Sequence, residues 1–205
     1  MLPRPRSVFD DLDLNPFPTG APPPLGPGNG QLYLVVRSFA TPRGDVGPAV
    51  LLIDHADGSG WGPPGGLTNR TDHSPLHAAL REFGEEVGAD WRNLANAADY
   101  FQIVRVMPGP HERSEAWMML VDLDAAAAEE ALFRQDRSGW TLEKRMKTPL
   151  STETSGYAFV TLDALMSADK KTGAFKLRNH TRKLRFSHLV RLQAELIAER
   201  LKHLP

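Results

Sequence analysis

Apolar positions along this chain follow two different periods. Residues 32–40 (LYLVVRSFA) and 49–55 (AVLLIDH) are near-continuous apolar runs rich in β-branched residues, separated by the turn-forming stretch Thr41 to Gly47. They predict two strands of a hairpin. From Ser74 to Gly88 the period changes to that of a helix, with Leu76, Leu80, Phe83 and Val87 recurring on one face. Ser74 followed by Pro75 supplies an N-cap and a residue suited to the first helical position, and Gly88 supplies a C-terminal stop. Residues 100–107 (YFQIVRVM) and 116–123 (AWMMLVDL) predict two more strands, joined by the Pro/Gly-rich loop 108–115. An Ala/Glu-rich helix is expected over 125–134, then a polar excursion over 135–150. A last strand follows at 157–160 (YAFV), and a short helix over 161–167 is capped by Thr161 or Asp163. Leu184, Leu189, Leu192, Leu196 and Leu201 predict an amphipathic terminal helix from about His180 to His203.

Residues 1–30 break both patterns. Eight prolines and several glycines there exclude helix and interior strand, while Phe9, Leu12, Leu14 and Phe17 give this arm apolar material with which to dock on the body or on a second subunit.

Composition narrows the class. A chain of 205 residues, 41% hydrophobic and 24% charged, is long enough for one domain with a substantial core. A net charge of −1 gives no general affinity for polyanions or acidic membranes. No run approaches the ~20 apolar residues of a membrane span, and the first residues carry no apolar signal-peptide core. With no cysteine, disulfides, thiolate metal sites and cysteine nucleophiles are excluded. The expectation is a cytoplasmic protein.

The candidate chemistry lies on the central helix. Glu82, Glu85 and Glu86 fall within a sector of roughly 100° on its surface, opposite the apolar stripe. Acidic side chains in the last turns meet the unfavourable end of the helix dipole, at a cost of about 0.3–1 kcal/mol each, and they repel one another. A solvated acidic face is the ordinary outcome for such a trio. A divalent cation would offset both costs, and Mg²⁺ takes hard oxygen ligands from a few carboxylates together with substrate phosphates.

The run from Gly66 through Arg81-Glu82-Phe83-Gly84-Glu85-Glu86-Val87-Gly88-Ala89 resembles the Nudix box: Gly, five residues, Glu, seven residues, then Arg-Glu-U-X-Glu-Glu-X-Gly-U, with U a bulky aliphatic. Arg81, Glu82, Glu85, Glu86 and Gly88 match. Phe83 fills the apolar position and Ala89 the last one. The entry Trp61-Gly-Pro-Pro-Gly-Gly66 is also similar to the family's strand-to-loop approach. The loop departs from the pattern: it is one residue longer, and its isolated Glu is replaced by Asp72 or His73, depending on the end from which one counts. Asp72 could serve as a short acid beside the helix N-terminus.

The resemblance covers about residues 30 to 168 and implies an α/β fold, the Nudix-type α/β/α sandwich with a mixed sheet. The implied organisation is a Pro/Gly-rich arm over 1–30, a Nudix domain over 31–168 with an insert at about 124–150, and a C-terminal helical extension over 169–205. It implies Mg²⁺- or Mn²⁺-dependent hydrolysis of a pyrophosphate bond in a nucleoside diphosphate linked to another moiety. Glu82, Glu85 and Glu86 are expected to hold the metal, with the carbonyl of Gly66 as a further ligand. Arg81 is expected to pair with Glu85 and fix the carboxylates. A general base comes from the box or from a later loop: Glu153 is favoured, with Glu112 and Glu115 as rivals.

The alternative is a non-hydrolysing Nudix-like module that binds nucleotide or RNA, suggested by the altered loop and by the basic run Lys176 to Phe186. The intact glutamate trio favours the enzyme. The partner expected is a nucleotide-derived small molecule, with no membrane and a homodimer as the assembly. Trp61, Trp91, Trp117 and Trp140 could stack on a base, though buried tryptophans are commoner. The seven histidines show no zinc-ligand spacing.

Overall fold

The structure, a computed structural model, describes residues 29–40, 46–58, 60–108, 114–167, 174–176, 183–185 and 188–202. The arm expected over residues 1–30 lies almost wholly outside the described residues, as do Glu112 and most of the loops at 41–47 and 108–115.

In chain order the elements are β1 (Asn29–Ala40), β2 (Val46–His55), β3 (Gly60–Gly62), β4 (Gly65–Leu67), α1 (Pro75–Val87), α2 (Arg92–Ala97), β5 (Phe101–Pro108) and β6 (Ser114–Asp124). They continue with α3 (Ala125–Phe133), α4 (Leu142–Arg145), β7 (Thr154–Thr161), α5 (Leu162–Met166), β8 (Ala174–Lys176), β9 (Lys183–Arg185) and α6 (His188–Leu201). The main sheet runs β3-β2-β1-β6-β5, with β4 also paired to β1 and β7 to β2. β1 and β6 are parallel, with Leu32 opposite Trp117 and Val36 opposite Val121, while the other pairs are antiparallel. The sheet is therefore mixed, and the fold is α/β.

Both faces of the central strands are covered. Leu32, Leu34 and Val36 of β1 and Leu51 and Ile53 of β2 pack with Leu76, Leu80, Phe83 and Val87 of α1 and with Ala128 and Leu132 of α3. The alternate residues Tyr33, Val35, Val50 and Leu52 pack with Leu162 and Leu165 of α5 and with Ala194 and Ile197 of α6. A strand buried on both sides must be apolar at every position, which is why these runs show no polar alternation. Each such buried side chain contributes roughly 1.5–3 kcal/mol. Trp61 and Trp91 are buried in these two cores.

The insert is more ordered than an excursion of that composition suggests. α3 is capped by Asp124, whose Oδ1 accepts from Ala127 N at 2.8 Å, and α4 by Thr141. Thr161, not Asp163, caps α5. The terminal helix starts at His188 rather than near His180, because residues 183–185 pair with 174–176 as a two-stranded ribbon. Within the basic run 176–186, residues 177–182 and 186 lie outside the described residues. Among the described residues no helix is long and apolar enough to cross a membrane.

Candidate metal centre

Helix α1 starts where the sequence places it. Ser74 is extended (φ −158°, ψ 161°), its Oγ accepts from His77 N at 3.0 Å, Pro75 follows, and Gly88 closes the helix in the left-handed region at φ 67°. These caps fix the register of its glutamates against the strand ends below.

Glu82 and Glu86, one turn apart, lie over the short strand β4. Gly65 N–H donates to Glu86 Oε2 at 2.7 Å. A Cβ at Gly66 would sit 2.5 Å from Glu82 Oε1, so the backbone of β4 reaches the carboxylate only because residue 66 has no side chain. The other Glu86 oxygen, Oε1, lies 3.1 Å from His55 Nδ1 at the end of β2. That contact, with Glu86 only 5% exposed, raises the His55 pKa above its ordinary value.

Glu153 arrives from far along the chain. β7 pairs with β2, setting Thr154 opposite His55, and Ala56 N donates to the Glu153 carbonyl at 2.8 Å. One carboxylate oxygen each of Glu82, Glu86 and Glu153 thereby fall within 4.8 Å of one another. At an effective dielectric of about 20, such neighbours repel by roughly 3–4 kcal/mol per pair. Burial, and then the charges of Glu86 and Glu85, raise the Glu82 pKa against the opposing pull of Arg81. Among the described residues no cationic side chain pairs with Glu153.

Arg81 binds the loop to the helix. Its Nη1 donates to Glu85 Oε2 at 2.7 Å, and its Nη2 lies 2.8 Å from Glu82 Oε1 and donates to the Leu67 carbonyl at 3.0 Å. Nε and Nη2 both reach the Asp72 carboxylate, at 3.2 and 3.0 Å. Asp72 is 2% exposed and also accepts from Asn69 N–H at 2.8 Å. Burial by itself would raise the Asp72 pKa; the hydrogen bonds from Arg81 and the Asn69 backbone more than reverse this and hold it below the ordinary carboxylate value. Of the two loop candidates, Asp72 is the one that meets Arg81, while His73 stacks on His77 with ring centroids 5.4 Å apart.

The geometry thus sorts the expected site residues. Gly66, Glu82, Glu86 and Glu153 come together. Glu85 stands outside the group of three, its side chain 54% exposed and paired with Arg81. For Glu115 the structure describes only the backbone of β6, opposite Gly30. His55 was missed by sequence reasoning; the only signal was that the apolar run of β2 ends in a polar residue just where the chain turns toward the Gly-rich loop.

The donors suit a small hard cation. They are carboxylate oxygens without sulfur, the donor type that Mg²⁺ or Mn²⁺ would take. Such a set, converging within 4.8 Å, would leave the rest of the ion's shell to water and substrate phosphate.

The Asp72–Arg81 pair makes a pH prediction. A carboxyl held below its unfolded value stabilises the fold above that value, about 3.9, and the contribution is lost as pH falls through the lower folded value. Asp72→Asn is therefore expected to cost about 2 kcal/mol at pH 7, typical of a charged hydrogen bond. In urea unfolding the difference between variant and wild type should shrink toward zero as the pH drops below about 4.

Solved structures similar to this chain are distant in sequence. A mutT/nudix family protein from Listeria innocua is 12% identical, with 86% of this chain and 94% of that chain covered and a TM-score of 0.47. An Ap4A hydrolase from C. elegans, solved as a binary complex, is 13% identical over 86% of this chain and 98% of that chain, with a TM-score of 0.45. A NUDIX family hydrolase from Clostridium perfringens is 13% identical over 84% and 96%, with a TM-score of 0.42. Among curated proteins none matches the sequence significantly. The sequence profile of the NUDIX domain, however, matches residues 34–184, most of the chain and all of the centre just described. The chain belongs to the NUDIX domain family and is a pyrophosphohydrolase of that family.

Proposed function

We propose that this chain hydrolyses a pyrophosphate bond in a nucleoside diphosphate linked to another moiety, using Mg²⁺ or Mn²⁺. The observation that carries the reading is the meeting of Glu82, Glu86 and Glu153, drawn from one helix and from a loop some seventy residues later, on a backbone cleared of side chains at Gly66. Structural stability gives no reason to gather three carboxylates whose mutual repulsion is only partly offset by Arg81 and His55.

Glu82, Glu86 and Glu153 would hold the ion, with the Gly66 carbonyl available beside Glu82. The chemistry that a bound dication supplies is neutralisation of phosphate charge and a lowered pKa for a bound water. The rest falls to the protein. Glu153, the exposed member and, among the described residues, the one without a cationic partner, takes the proton of the attacking water as its oxygen bonds to phosphorus and the bridging P–O bond breaks. Arg81 holds Glu82 in place and, through Leu67 O and Asp72, holds the loop that carries Gly66. Glu85 completes the Arg81 network rather than the ion's shell. His55 and Gly65 N–H fix the two oxygens of Glu86.

A panel of nucleoside triphosphates, ADP-ribose, dinucleoside polyphosphates, NADH, nucleotide sugars and 5′-triphosphorylated RNA, assayed with Mg²⁺ and with Mn²⁺, tests the reading. At least one should be cleaved at a pyrophosphate bond, and EDTA should abolish the turnover. Absence of cleavage across the panel, or cleavage that persists in EDTA, would overturn it.

A further inference from the structure

The insert contains a second polar centre that the reaction does not use. Glu129 on α3 is 1% exposed, and a fully buried carboxylate survives only with a partner. Its partner is Arg145 on α4, in a two-pronged pair: Nε to Oε1 at 2.5 Å and Nη2 to Oε2 at 2.6 Å. The same guanidinium donates to the Arg137 carbonyl at 2.8 Å and to the Trp140 carbonyl. One side chain thus ties α3, the 137–140 turn and α4 together. Arg137 reinforces the turn: its guanidinium lies 4.0 Å from the Phe133 ring centroid and 4.7 Å from that of Trp140, and Nη1 donates to the Tyr157 hydroxyl on β7 at 2.9 Å. Among the described residues its buried Nε has no hydrogen-bond partner, and aromatic faces hold that end of the guanidinium.

The clasp stands at the head of the segment that ends in Glu153. Beyond α4 the Met146 carbonyl presses on Gly156, and the Leu150 carbonyl would lie 2.6 Å from a Cβ at Gly88, the C-cap of the glutamate helix. Leu150 N and Ser151 N donate to Thr154 Oγ1 at 2.9 and 3.1 Å, and Ser151 Oγ accepts from Glu153 N at 3.2 Å. An unbroken series of contacts runs from Glu129 to the one member of the trio that does not sit on α1.

We infer that the Glu129–Arg145 clasp, buttressed by Arg137 against Phe133, Trp140 and Tyr157, is a positioning device that sets Glu153 against Glu82 and Glu86 and so completes the metal centre. The inference rests on the placement of Glu153 in the proposed function. Its residues touch neither ion nor substrate; they act through the Leu142–Glu153 segment.

The test is a double-variant cycle read by direct Mn²⁺ binding, from the electron paramagnetic resonance signal of free Mn²⁺, alongside hydrolysis and thermal melting. Glu129→Gln keeps the shape and removes the charge. It should weaken Mn²⁺ binding about 10-fold, the lower end for an outer-shell partner, matching Glu153→Gln. The double variant should be no weaker than Glu153→Gln alone. A purely structural role would lower the melting temperature and leave Mn²⁺ affinity at the wild-type level, and that result overturns the inference. Effects that multiply in the double variant overturn it as well, because Glu129 would then act independently of Glu153. If Glu129→Gln does not fold, Trp140→Ala loosens the Arg137 stack without stranding a buried charge, and the same cycle with Glu153→Gln decides. Wild-type protein that binds no Mn²⁺ would instead refute the metal reading of the trio.

Discussion

Glu86→Gln is expected to lower pyrophosphate hydrolysis on the order of 10³-fold, because losing a metal-ligating charge forfeits several kcal/mol of transition-state stabilisation. The cost to the fold should be far smaller. A glutamine oxygen still accepts from Gly65 N–H, and its amide N–H donates to His55 Nδ1 once the imidazole carries its proton on Nε2, so only the charge assistance of that contact, about 1 kcal/mol, is lost. The two magnitudes separate the roles: rate constants at saturating Mg²⁺ should collapse while the melting temperature moves by only a few degrees. Activity within tenfold of wild type would remove Glu86 from the ion's ligands.

Gly156→Ala is expected to lower both stability and rate, although residue 156 touches no carboxylate of the site. Gly156 follows Glu153 by three residues on β7, and an added Cβ would collide with the Met146 carbonyl oxygen and stand 2.5 Å from its carbonyl carbon. Neither atom belongs to a flexible side chain, so β7 or the α4 turn must shift. Overpacking of this kind costs typically 1–3 kcal/mol, and the upper end is expected here because backbone meets backbone. The displaced segment carries Glu153, and a shift of about 1 Å in a catalytic group costs on the order of 10²-fold in rate. Chemical denaturation and the hydrolysis rate at a temperature where the variant is folded measure the two effects. A variant as stable and as active as wild type would show that the close approach of Met146 to Gly156 has no part in placing Glu153.

The elements legible in the sequence were those specified by local chemistry. Helix α1 announces itself through the Ser74 cap, the apolar stripe and Gly88, all within one segment. β1 and β2 announce themselves because burial on both faces leaves no polar residue to break their runs. Short elements did not show. β4 is Gly65-Gly66-Leu67, with two residues that disfavour strands, and α2 spans six residues without a side-chain cap. Within the site, helical geometry placed three glutamates in one sector but could not divide them. Glu85 is about 40° from Arg81 and about 100° from Glu86, so the guanidinium takes Glu85 to one side while β4 and His55 hold Glu86 on the other. Glu129 was illegible for a different reason. An acid in an Ala/Glu-rich helix looks solvated until the fold lays Arg145 across it.

The pairing of β2 with β7 also bears on biosynthesis. Glu82 and Glu86 leave the ribosome well before Glu153, and β1 must await β6 for its parallel neighbour. At translation rates of about 5–20 residues per second, a nascent chain carries two of the three carboxylates of the proposed metal site for several seconds before the last one emerges. Such a precursor has an exposed β1 edge and an incomplete ligand set, so catalytic competence begins only once β7 has docked, however early the signature helix has formed.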